Sequence, residues 1–123
     1  MGTFHVKFTI RNPFEPERFL ELEGLVDTGA HFTQVPASLL AQIGVRPSRT
    51  QQIQYADGRV VSKPVGTAEI MIGQHVGPAV VLFGEANDLT LIGAATLENF
   101  GVGVDPVRKI LIPLIVPQAL SAS

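Results

Sequence analysis

Apolar and polar residues alternate at the start of the chain. In "TFHVKFTI" Phe4, Val6, Phe8 and Ile10 alternate with polar neighbours, the period-two pattern of a half-buried strand. "NPFEPE" reads as a loop, and "RFLELEGLV" alternates again up to Asp27. "HFTQV" predicts a further short strand. "PASLLAQIG" predicts a short helix with Pro36 in its first turn, a stripe of Leu39, Leu40 and Ile43, and Gly44 as its stop. "QQIQYADGRVVSKPV" is two extended arms around Asp57-Gly58, the strongest hairpin signal in the chain. "GTAEIMI" and "HVGPAVVLFG" follow as strands around a Gly73-Gln74 turn. "LTLIGAATLENFG" predicts a strand, a Gly turn and a short helix closed by Gly101, and "VGVDPVRKILIP" predicts a last hairpin. The pattern predicts an all-β domain with one or two short helices, one unit with a core over about residues 3–113. The tail, residues 114–123, is apolar at first, then small and polar, and is expected to fray at its end.

Composition narrows the chemistry. With 123 residues the chain can bury a core without staples, and it holds no cysteine, so disulfides and thiolate sites are excluded. The three histidines, His5, His31 and His75, show no ligand spacing, and neither a metal nor another cofactor is expected. The net charge is −2 with scattered basic residues, which is not the footprint of a nucleic-acid binder. No apolar run reaches transmembrane length, and the amino terminus lacks a signal-peptide core, so no membrane partner is expected and a soluble, cytoplasmic protein is the default. Met1-Gly2 does not predict myristoylation, because Val6 stands where that signal needs Ser or Thr.

One stretch, "GLVDTGAHFTQVP", raises a chemical question. Asp27 follows an apolar strand and precedes Thr28-Gly29-Ala30. A buried carboxylate is costly unless compensated, so Asp27 either caps a turn at the surface or is held there to react. "GLVDTGA" has a weak echo in "LTLIGAA", which also runs apolar residues into a Gly-Ala turn before a helix.

Taken together, Leu25-Val26-Asp27-Thr28-Gly29-Ala30, Val35-Pro36 and Leu91-Ile92-Gly93 resemble the retropepsin-like aspartic proteases, over roughly residues 18 to 113. The resemblance implies a small, closed, barrel-like acid-protease domain and a peptide or protein substrate. Two carboxylates would hold one water and share a proton, one acting as base and the other as acid. Only one Asp-Thr-Gly exists, since Asp57, Asp88 and Asp105 lie in unrelated contexts, so the resemblance implies a homodimer with Asp27 from each subunit. It also implies that Thr28 bonds across the two-fold axis and that Gly29 lets the backbone approach substrate. The Asp57-Gly58 hairpin would be a flap, with Ala30, Tyr55, Ala56, Asp57, Gly58, Ile92 and Gly93 bordering the substrate. The residues alone leave alternatives open: an ordinary surface hairpin, a half-buried Tyr55, and a His31 that lines the cleft or faces solvent. "TFHVKF" and "KILIPLIV" are candidate interface strands. The alternative function is a peptide- or protein-binding module of the same fold that does not hydrolyse.

Overall fold

The computed structural model describes residues 3–121. The Met1-Gly2 motif and the last two residues of the tail lie outside that range. Strands β1 (Phe4–Arg11) and β2 (Phe19–Val26) form the first antiparallel pair, Phe4 opposite Val26 and Arg11 opposite Phe19. Their alternation is real: Phe8 and Ile10 are buried while His5 and Lys7 are exposed. The loop between them is organised by Asn12, whose Oδ1 accepts from the backbone of Phe14 and Glu15 at 2.8 and 3.1 Å.

Next come β3 (Thr33–Pro36) and helix α1 (Ala37–Gln42). Leu40 and Ile43 are buried, and Gly44 ends the helix at φ 74°, a conformation that favours glycine. Strands β4 (Arg49–Gln54) and β5 (Val60–Ile72) make the hairpin, and β6 (His75–Gly84) returns along β5. Here the expected separate strands "VVSKPV" and "GTAEIMI" are one strand of 13 residues that runs through Pro64. At Pro64 the strand has only β4 beside it, because pairing to β6 starts at Val65, so the missing proline N–H interrupts no second ladder.

The hairpin turn also differs from a two-residue turn. Gly58 N donates to Tyr55 O and Tyr55 N to Arg59 O, both at 2.9 Å, with Gly58 at φ 91°. Asp57 does not have positive φ, so this is a three-residue loop with glycine in the bulge position.

β7 is only Leu91–Ile92, followed by helix α2 (Ala94–Asn99), β8 (Val102–Asp105) and β9 (Ile110–Pro113). The main sheet runs β1-β2-β7-β3-β6-β5-β4, and β5 also pairs with β1. That extra pairing closes every strand of this sheet but β4 into a ring around Ile10, Val26, Val35, Ile70, Val81 and Ile92, all fully buried. β8 and β9 form a separate two-stranded sheet. No helix among the described residues is long and apolar enough to cross a membrane.

Candidate active site

The short strand β7 positions the Asp27 loop. It pairs in parallel with β2, Leu25 beside Leu91 and Val26 beside Ile92. Leu25 N donates to Thr90 O at 2.9 Å and Asp27 N to Ile92 O at 3.0 Å. Asp27 is therefore fixed where β2 ends. Its own carbonyl accepts from Ala30 N at 3.1 Å, and its Oδ1 accepts from Gly29 N at 2.9 Å. The carboxylate is half-buried in the single chain. The cost expected of a fully buried charge therefore does not arise in this chain, and Asp27 caps its own turn as well as presenting its carboxylate. Thr28 and Gly29 are exposed beside it.

A second set of bonds ties this loop to the start of α2. Ala94 N donates to Ala30 O at 2.8 Å and Ala95 N to His31 O at 2.9 Å. Gly93 N donates to Thr33 Oγ1 at 3.1 Å, and the Thr33 and Thr96 hydroxyls bond each other at 2.7 Å, both buried. A Cβ on Gly93 would lie 2.5 Å from the Phe32 carbonyl carbon and oxygen, so only glycine allows the two segments to close. The sequence reading missed Thr33 and Thr96. The available signal was that Thr33 occupies an inward position on β3, like Val35, where a core strand would carry an apolar side chain.

The predicted site residues divide by position. Gly29, Ala30, Tyr55 and Ala56 border one cavity of about 470 Å³, between the Asp27 loop and the hairpin. Asp57 and Gly58 form the exposed hairpin tip and do not line it. Ile92 is fully buried in the core and supplies a backbone acceptor to Asp27, and Gly93 packs on Phe32. Asp27 and Thr28 sit beside the cavity, next to Gly29. A larger cleft of about 720 Å³ opens between α1 and the base of β5, but no residue of the Asp27 motif reaches it.

At the tip, Asp57 accepts from Arg59 N at 3.0 Å and Arg59 Nε at 2.9 Å, and the guanidinium stands 5.2 Å from the Tyr55 ring centre. The Arg59 backbone N–H, then its guanidinium, hold the Asp57 carboxyl below its usual range.

Known proteins match the sequence and the fold. Residues 20–99 match the family described as "gag-polyprotein putative aspartyl protease". Among solved structures, the solution structure of Simian Foamy Virus (mac) protease is similar with a TM-score of 0.55 and 21% identity, covering 77% of this chain and 92% of that one. At that identity the likeness speaks for the fold. No curated protein matches at a significant level.

Proposed function

The chain belongs to the gag-polyprotein aspartyl protease family, and from that premise we propose that it is an aspartic endopeptidase that works as a homodimer. The observation that carries this reading is the Asp27 loop. A strand end, a parallel neighbour and a buried hydroxyl pair hold one carboxylate at a set place beside a cavity under a hairpin.

The chemistry needs two such groups. One ionised carboxylate takes a proton from a water as the water oxygen attacks the peptide carbonyl carbon, while the other, protonated, donates to the carbonyl oxygen. The tetrahedral intermediate then breaks its C–N bond, and the nitrogen leaves with a proton from the dyad. Like charges this close cannot both ionise easily, so the pair shares one proton. The chain has one Asp-Thr-Gly, and a two-fold dimer supplies the second by symmetry. Thr28, exposed in the single chain, is free to bond across that axis. The β4–β5 hairpin acts as the flap over an extended peptide. The interface draws on the carboxy-terminal segment, where Leu114, Ile115 and Val116 are exposed.

The alternative, a binding module that does not cut, draws on the Asp27–Gly29 turn, which needs no catalysis to exist. Asp27→Asn separates the two. Cleavage of an unfolded protein should fall by about three orders of magnitude or more while the fold is kept, as for other essential catalytic groups. Unchanged cleavage in that variant rules out a peptidase that works through Asp27. The assembly arm is dilution: specific activity should fall as concentration drops through the dimer dissociation constant, followed in parallel by sedimentation. An active monomer that ignores dilution overturns the two-chain site.

A further inference from the structure

Beside the Asp27 loop, His31 stands between two cavities. One is the 470 Å³ space under the hairpin, and the other, about 370 Å³, opens between α2 and the middle of β5 and β6. Both include His31 and Phe32 in their walls. The His31 backbone is pinned by Ala95 N at 2.9 Å, and its ring stands edge-on to Phe32, 86° between planes and 4.6 Å between centres. The side chain itself is exposed.

The walls of the two cavities contain no aspartate, glutamate, lysine or arginine. Besides His31, the Tyr55 phenol is the one ionisable group in them. Gln34, Gln52 and Gln54 offer amides, and Gln34 Nε2 is already committed to Leu89 O at 2.9 Å. The nearest carboxylate along the loop is Asp27, which accepts from Gly29 N. Histidine gains its charge as pH falls through the neutral range. Apart from Asp27 on the same loop, the imidazole meets no acidic side chain in the cavity walls, which leaves room for one brought by a ligand.

We propose that His31 is a specificity-determining residue that selects peptides with an acidic side chain near the scissile bond. This rests on the peptidase reading, and it names a substrate class for that site. The carboxylate of a substrate Asp or Glu lies against the imidazolium, and the neighbouring glutamines add hydrogen bonds without adding charge.

The test is a competition among matched peptides with Glu, Gln or Lys at each position within four residues of the scissile bond. Wild type and His31→Gln are compared under mildly acidic conditions. Wild type should favour Glu over Gln by about fivefold, the scale of one partly exposed ion pair. His31→Gln should show no such preference. An equal Glu-to-Gln ratio in the two proteins, or a preference for Lys, overturns the proposal. Binding of the same peptides to Asp27→Asn, measured by calorimetry, keeps this separate from catalysis. A Glu preference in binding that disappears when His31→Gln is added supports the proposal even if nothing is cut. Binding without any preference, or no binding at all, overturns it. Absent cleavage in wild type counts against the peptidase reading alone.

Discussion

The Asp27 loop and the β4–β5 hairpin border one cavity, yet the loop and the hairpin's Asp57–Gly58 tip are built by opposite means. The loop is held by partners distant in sequence: Ile92 and Ala94 through the backbone, Thr33 and Thr96 through buried hydroxyls. The tip is held almost wholly by itself, through the Tyr55–Gly58 turn and the Asp57–Arg59 pair. Long-range bonds in a dry interior resist opening, whereas an exposed local turn opens at little cost. A site that must keep a carboxylate in place and admit a long substrate needs one wall of each kind. The join between them is β5, whose first half carries the hairpin and whose second half is a wall of the core. Lys63 on the hairpin arm reaches Glu85 at 3.1 Å and anchors the base, which leaves the tip to move.

The largest effect should come from the loop side. Gly93→Ala drives a methyl to 2.5 Å from the Phe32 backbone, and backbone cannot swing away as a side chain would. We expect a loss of about 3 kcal/mol in unfolding free energy, typical of a strained or overpacked interior, read from the denaturant midpoint. A change within about 0.5 kcal/mol would mean that the two segments are not clamped.

Thr33→Val should come next. Valine keeps the shape but leaves Gly93 N and the Thr96 hydroxyl without their buried partner. The expected cost is about 2 kcal/mol, the penalty of an unsatisfied buried polar group. Thr33→Ser keeps the oxygen and should recover most of it. If serine were as destabilising as valine, keeping the hydroxyl would not be enough to hold the site, and the assignment of the cost to the lost hydrogen bonds would fail.

Local features were the legible part of this molecule. Alternation marked β1 and β2, and Gly44 and Gly101, both with positive φ, marked the helix ends where expected. The Asp57–Gly58 turn was visible because a turn is a property of adjacent residues. The parallel β2–β7 pair was not, because a strand of two residues carries no period and its partner lies far upstream. The Thr33–Thr96 bond was hidden for a similar reason: threonine is at home in any strand, and only the fold reveals that its hydroxyl faces another. The strand Val60–Ile72 was expected as two, because whether it continues past Pro64 depends on which neighbours β5 has there. Asp27 could be singled out by its motif and caps its own turn, but the pairing to β7 that fixes its place in the fold is tertiary.

The smallest effect belongs to the tip, and acid exposes it. Asp57 is stabilised as a carboxylate by Arg59 N–H and the Arg59 guanidinium, so its folded pKa lies below its ordinary value of 3.8. A depressed carboxylate contributes its order above the unfolded pKa and loses it as pH falls through the folded one. The tip should therefore stay ordered through mildly acidic conditions and loosen only below the ordinary carboxylate range. Because the pair is exposed, global stability should hardly register the change. Amide exchange or NMR relaxation at Ala56–Arg59 should register it, together with a carboxyl-carbon titration of Asp57 whose midpoint falls below 3.8. Asp57→Asn should loosen the tip at every pH, since the ion pair is gone, while amides around Asp27 and Gly93 remain protected. If those loop amides loosened together with the tip, the two walls would be one cooperative unit, and the contrast between a fixed floor and a mobile cover would fail.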